Sequence, residues 1–368
     1  VRGDGPPPVW PPGFVASEDD LEAALALSAL VWMTPRRRIE IAASCGTASA
    51  MRRAIASGRA GTAGEREHLR RIDPGAIRDA VRAAGARVVP VGSAGYPAQL
   101  ERIPDPPLVL FVSGAPLPEV TRCVAVVGSR RCSELGREVA RSLGRGLAGA
   151  GVAVASGGAR GIDAAAHAGA MDAGGGTVAV LGCGIDRPYP SRAFLERVRT
   201  AGSLVTELVP GTPPHPRHFP ARNRIVAGLA RATVVVEGAE GSGSMITAEH
   251  ALEFGRDVFA VVGAVTNPLA AVPLRLIREG AGAIRGAEDL LDDLGIQPTE
   301  TAEPPGDLSD DERRVLAQLL GPTLPDRVAT SLGLRLVDVM PVLMRLELRG
   351  LVRSVGGRFE RTLRAARA

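Results

Sequence analysis

Arg222 and Arg224 stand two residues apart in "FPARNRIVAGLA" (219–230), behind Phe219 and Pro220 and ahead of a run that turns apolar. Ile225, Val226 and Leu229 fall on one face at helical spacing, and Pro220 suits a first turn, so a helix is expected from about Ala221. Cations there oppose the helix macrodipole, whose N-terminus is already partly positive. An anion would resolve the conflict, since free amides and guanidinium forks, with Asn223 between them, form a phosphate cradle. The plain alternative is a pair of solvated surface arginines. Three other stretches offer related chemistry. Gly128-Ser129-Arg130 combines a hydroxyl, amides and a guanidinium at a strand end. "SGGARGIDAAAH", from Ser156, is a turn built on Gly157, Gly158 and Gly161 that enters a helix beside Arg160. "EGSGSMITAEHA", from Glu240, does the same with Ser242, Gly243, Ser244 and Thr247. Each alone reads as a tight turn with a cap; together at one sheet edge they outline a polyanion groove.

Catalytic constellations are poor by comparison. Asp163 and His167 are four apart on one helix and read as a packed hydrogen-bonded pair, because no G-x-S-x-G elbow accompanies them. His215 and His218 lack a third ligand nearby, so no metal is expected. Glu207 and Glu249 have no partner at a diagnostic spacing. "VVGSRRCSELG" keeps only Gly128 of a dinucleotide fingerprint and lacks the ribose-binding acid, which argues against NAD. The chain contains no lysine, so a P-loop cannot be built and no nucleotide cofactor is expected. Phe219 is placed either to stack on a base or to plug the sheet edge; aromatics at 3% rule out an extended stacking platform.

Positioning these turns requires a sheet. "CVAVVGS", "GVAVASGG", "GTVAVLGCG", "SLVTEL", "ATVVVEG" and "DVFAVVG" are short valine-rich runs separated by helical segments, the pattern of strands buried on both faces. They define an α/β fold, a doubly wound parallel sheet with its core from about residue 117, and glycines at the strand ends mark a ligand crevice. Residues 1–84 read as a Pro-rich start and a small helical domain, with Ser17 capping "EDDLEAALALSAL". The sheet domain spans 85–295, and "IQPTETAEPPGD" (296–307) reads as a linker. Three helices and a Gly-Gly hairpin over 308–368 make a winged helix-turn-helix. Its Arg335, Arg345, Arg349, Arg353, Arg358 and Arg361 are candidates to face nucleic acid, and docking to protein is the equal alternative.

The net charge of +4 and isoelectric point near 9.3 permit an acidic partner without requiring one. Four scattered cysteines without a C-x-x-C pair fit a reduced cytoplasm. No run of 18 apolar residues and no apolar leader region is found, so neither a membrane span nor a secretory signal is expected.

In order and spacing, "VAVVGSR", "SGGARGIDAAAHAGA", "AVLGCGID", "FPARNRIVAGLA", "VVVEG" and "GSGSMITAEHALEFGRDVFAV" resemble the DNA-processing protein A family, also called Smf. The match is detailed over about 85–290; the N-terminal helices are similar to the family's sterile-alpha-motif-like domain and the C-terminal end to its winged helix. The resemblance implies an extended Rossmann-like domain that dimerises, binds single-stranded DNA and loads the RecA recombinase in natural transformation, with no catalytic turnover. Carried over by position, DNA contacts fall on Arg130, the "SGGARG" turn, Phe219, Arg222, Arg224 and the "SGSMIT" turn. The sequence departs from the family at Gly158, Val262 and the 264–274 loop. The rival is a nucleotide phosphoribohydrolase on the same sheet, whose motif ends in a catalytic Glu where Thr247 stands here; threonine cannot replace that carboxylate as a base.

Overall fold

The computed structural model describes residues 9–296, 308–319, 321–349 and 351–361. The expected linker therefore lies outside the described residues except for Ile296, as do the first eight residues of the Pro-rich start. Two compact units divide the chain, Val1–Thr299 and Glu300–Ala368.

Five helices open the first unit: α1 (Glu18–Ser28), α2 (Pro35–Cys45), α3 (Ala48–Ala56), α4 (Ala63–Arg71) and α5 (Pro74–Ala83). Ser17, Thr34, Thr47, Thr62 and Asp73 cap them in turn, each side chain accepting from a first-turn amide. These helices share one apolar core with the sheet, and the Trp10 indole donates to the Pro106 carbonyl at 3.1 Å.

The sheet alternates with helices as β1 (Ala86–Pro90), α6 (Ala98–Glu101), β2 (Val109–Gly114), β3 (Cys123–Val127), α7 (Glu134–Gly149), β4 (Ala153–Ser156), α8 (Ile162–Asp172), β5 (Thr177–Val180), α9 (Arg192–Ala201) and β6 (Ser203–Thr206). It continues as α10 (His218–Leu229), β7 (Ala232–Val235), α11 (Gly243–Glu253), β8 (Asp257–Val261), α12 (Ala271–Arg278), β9 (Gly282–Ile284) and α13 (Ala287–Asp293). Strand order is β1-β2-β6-β5-β4-β3-β7-β8-β9. Each of the six valine-rich runs forms a strand, and these six pair in parallel. The sheet extends past them, with β1 and β2 antiparallel on one side and β9 parallel on the other. From β3 the chain winds through β4, β5 and β6, then returns to β7 on the opposite flank of β3. The carboxyl ends of β3 and β7 therefore border a topological switch point, where open α/β sheets bind ligands.

The second unit holds α14 (Asp310–Gln318), α15 (Pro325–Leu332), α16 (Leu336–Leu348) and the hairpin β10 (Val352–Val355) with β11 (Arg358–Arg361). Ser309 and Glu312 close a capping box on α14. Gly356 and Gly357 both take positive φ, as a tight hairpin turn requires. Leu316, Val328, Val339, Leu343, Leu346 and Phe359 form its core. Several of the arginines expected to face nucleic acid are engaged inside this unit: Arg349 pairs with Glu312 at 2.8 Å, Arg361 donates to the Leu316 carbonyl, and Arg335 pairs with Asp338.

Candidate nucleic-acid interface

A cleft of about 600 Å³ opens at the switch point. Gly128, Ser129, Arg130 and Arg131 follow β3 along one wall, Gly157 and Ala159 follow β4, and Ala239–Ser244 lead from β7 into α11. Phe219, Pro220, Arg222 and Asn223 of α10 close the other side with Tyr189, and Asp163 and Thr247 sit deeper. The first turns of α8, α10 and α11 all border this region; those of α10 and α11 bring partly positive helix ends to it, while α8 contributes Asp163.

Helix α10 begins at His218, three residues before the expected start, because a proline at its third position gives up an amide that has no helical acceptor anyway. Arg222 and Arg224 thus occupy the second turn, where the macrodipole conflict has faded. Neither is a solvated arginine; both are 5% exposed. Arg224 does not line the cleft. Its Nε donates to Asp105 at 2.8 Å and one terminal nitrogen to Glu207 at 2.7 Å. Burial alone would lower its pKa, but Glu207 and Asp105 outweigh it and raise it. The anion that completes Arg224 is therefore a pair of the protein's own carboxylates, and Glu207 has the partner that no sequence spacing revealed.

Arg222 does reach the cleft. Its Nη1 donates to the carbonyls of Gly157, at 2.6 Å, and Val180, while Nε donates to Asn223 Oδ1. Burial pushes its pKa down to about 10, against the pull of Asp163, so it remains a cation at neutral pH. The guanidinium lies against Gly157, where a Cβ would collide with Nη2, which gives that glycine its reason. Asn223 in turn donates to the Gly243 carbonyl at 3.2 Å and ties α10 to the serine-rich turn.

The "SGGARG" turn is partly spoken for. Asp163 accepts from the amides of Gly157, at 3.2 Å, and Ala159, at 3.3 Å, so these do not await a phosphate. Burial raises the Asp163 pKa, with Arg222 opposing. Ser156 is buried and donates to the Val126 carbonyl. Gly161, at φ +84°, packs its Cα face on the Ser129 carbonyl and joins this turn to the first. Ser156, Gly158, Arg160 and Gly161 are not among the cleft-lining residues, although Arg160 is exposed.

Arg130 and Arg131 are exposed at the rim. The Arg130 guanidinium lies 5.2 Å from the Phe219 ring centre, and Tyr189 meets the same ring at 5.7 Å. Phe219 is half-buried and rests against Gly182, so it plugs the sheet edge while its ring also borders the cleft. Ser242 and Ser244 share a hydroxyl hydrogen bond at 2.8 Å. Arg131 and Tyr189 are not among the site residues read from sequence; Arg131 adjoins one of them, and Tyr189-Pro190 is a "YP" pair that the family resemblance shares.

Asp163 and His167 do not bond to each other. The Thr177 hydroxyl donates to the Val154 carbonyl at 2.9 Å, so its contact with His167 Nδ1 at 2.6 Å must use a proton carried by Nδ1. Nε2 is buried without a hydrogen bond among the described residues. Burial, reinforced by Arg222, pushes the imidazole down to about 3 from 6.5. The unfolded chain therefore binds a proton that the folded chain refuses, and stability falls as pH drops below 6.5. Between neutral pH and pH 5 this linkage removes about 2 kcal/mol. Thermal melts of parent and His167→Leu across that range check it: the variant's melting temperature should decline less steeply.

Among the described residues no group of three or more His, Cys, Asp and Glu is placed to hold a metal, and no helix is long and apolar enough to cross a membrane.

Known proteins share this arrangement. The model of the family "DNA recombination-mediator protein A" matches residues 87–295, and a DprA winged helix domain matches 289–358. The chain belongs to this recombination-mediator family. A putative DNA processing protein DprA of Mycobacterium tuberculosis is 43% identical over 294 residues, covering 77% of this chain and 72% of that one. The Bacillus subtilis DNA processing protein DprA is 39% identical over 228 residues, 61% of this chain and 77% of that one. Among solved structures, DNA processing protein A of Streptococcus pneumoniae superposes with a TM-score of 0.66 at 30% identity, covering 74% of this chain and 97% of that one. That of Helicobacter pylori, whose structure addresses a single-stranded DNA binding mode, gives 0.52 at 24% identity, covering 57% and 97%. Members of the recombination-mediator family are DNA-binding mediators and not enzymes, and the buried threonine at position 247 fits that class.

Proposed function

We propose that the cleft holds single-stranded DNA through its phosphates, and that the protein protects incoming strands and loads RecA in natural transformation, acting in the cytoplasm as a homodimer. The supporting observation is the convergence of the α10 and α11 N-termini with Arg130, Arg131 and Arg222 around one cleft at the switch point. Rim guanidinium groups track a backbone without reading bases, and the Arg130–Phe219 pair offers one place for a base to stack. The single-stranded DNA binding mode of the Helicobacter pylori protein and the family's description as recombination mediators point the same way. Recombinase loading rests on that family description alone. Gly128, Ser129, Gly157, Phe219, Asn223, Ser242, Gly243, Ser244 and Thr247 shape the cleft, while Arg224 is assigned to the fold.

The test is single-stranded DNA binding across a salt series for the parent and for Arg130→Ala/Arg131→Ala. Removing one phosphate-neutralising arginine should flatten the slope of log K against log salt by about 0.7, so the double variant's slope should fall by roughly 1.4. Both side chains are exposed, so melting should be unchanged. A parent without affinity for the strand, or a double variant with the parental slope, overturns the assignment.

A further inference from the structure

Trp32, in the short connection between α1 and α2, is 65% exposed, and Val31 beside it is exposed too. A tryptophan normally buries most of its ring. His68 of α4 meets the indole edge to face at 4.6 Å, which steadies the ring without covering it. The charge around it is one-sided. Residues 34–71, which carry α2, α3 and α4, hold nine arginines and three carboxylates, a net +6 that exceeds the whole chain's +4. Those carboxylates are taken locally: Glu40 pairs with Arg36, Glu65 with Arg37, and Glu67 with Arg70 and Arg71. Arg36 lies in the first turn of the helix that Trp32 precedes, and Arg71 lies three residues after His68 on the same face of α4. Both are exposed, and surface ion pairs such as theirs are weak enough to yield a guanidinium to a phosphate.

We propose that Trp32 and these arginines form a second contact for single-stranded DNA, on the helices ahead of the sheet, with the indole stacked on one base and Arg36 and Arg71 on flanking phosphates. An aromatic ring framed by guanidinium groups holds a single strand without reading its sequence, because every base has a face to stack on and every nucleotide carries a charge. Charge complementarity selects a polyanion. The indole selects one that carries bases, and in a duplex those base faces are already stacked on one another. An acidic polypeptide would satisfy the arginines and leave the ring without a partner. None of these residues lines the cleft, so the proposal stands whether or not the cleft binds DNA.

The chain has two tryptophans, and Trp10 is buried with its indole bonded to the Pro106 carbonyl, so intrinsic fluorescence can report on Trp32. Titrating the full chain with a thymidine homopolymer strand should quench its emission. Trp32→Phe, which leaves only Trp10, should lose the quench. Trp32→Ala should weaken binding by roughly tenfold at low salt, the effect of one lost base stack, and Trp32→Phe should recover part of that affinity. Arg36→Ala/Arg71→Ala should flatten the slope of log K against log salt by roughly 1.4. These side chains are exposed, so melting should be unchanged. Arg130→Ala/Arg131→Ala should still show the Trp32 quench, which tells the two sites apart: a cleft that fails its own salt test leaves this signal intact. A strand bound without a Trp32-dependent quench, a parent that binds no strand, or parental affinity in Trp32→Ala overturns the proposal. So does an equal quench by polyglutamate, which would make the patch a surface for acidic protein.

Discussion

Replacing Arg224 with alanine is expected to remove about 3–5 kcal/mol of folding stability at neutral pH, the cost of stranding buried charge without its partner. Asp105 and Glu207 converge on this one guanidinium at 2.8 and 2.7 Å. Without it the two carboxylates repel each other in a half-buried site, and one must take up a proton or swing outward. A little of the loss is returned, because Arg224 Nη1 is buried without a hydrogen bond among the described residues. Urea unfolding at pH 7 measures the effect. Adding Asp105→Asn and Glu207→Gln to Arg224→Ala should restore a large part of it, since neutral side chains carry no stranded charge. A loss under about 1 kcal/mol would mean the pair contributes little in solution, as exposed ion pairs do. The DNA measurement separates the roles again: any folded Arg224 variant should keep the parental salt slope.

Arg222→Ala should be comparably costly, by about 3–5 kcal/mol, for a different reason. Its guanidinium links the ends of β4 and β5 to α10 through the Gly157 and Val180 carbonyls, and it faces Asp163. Removing it leaves two carbonyls short of a donor and a buried carboxylate short of its cation. Asp163→Asn in the Arg222→Ala background should recover part of the loss by removing that charge, because the Gly157 and Ala159 amides both donate to one oxygen, which the asparagine carbonyl can replace. Equilibrium unfolding of the parent, the two single variants and the double variant gives the coupling energy. Coupling near zero would show that Asp163 is held by the two backbone amides alone. DNA affinity should also fall in Arg222→Ala, but that fall does not isolate a phosphate interaction, because the cleft wall changes with it.

These two arginines show where the sequence is readable and where it is not. The six central strands are legible because a strand covered on both faces must be apolar throughout, and valine-rich runs do nothing else so economically. β2 carries the same signature in "LVLFVSG" yet sits inside a Pro-rich passage that hides it, and three-residue β9 has no periodicity to detect. The glycine- and serine-rich turns at the strand ends are also legible as turns, and each contributes residues to the cleft. What the local pattern lacks is the identity of the anion. Asp105 is 119 residues from Arg224 in sequence, and only the antiparallel addition of β2 beside β6 brings it near. The same blindness to distant partners explains Asp163 and His167: four residues apart on one helix, they turn to amides on one side and Thr177 on the other.

The carboxylate of Asp163, already holding two amides of the "SGGARG" turn, gives the cleft a charge gradient. Arg130 and Arg131 stand at the mouth, while a buried acid occupies the floor beside buried Arg222. On the proposed reading, a visiting polyanion would meet attraction at the rim and less with depth, where Asp163 and Arg222 offset each other. A strand would then run across the opening instead of sending one phosphate inward, with the cleft acting as a rail along which a guest is shifted and not as a socket that must be emptied.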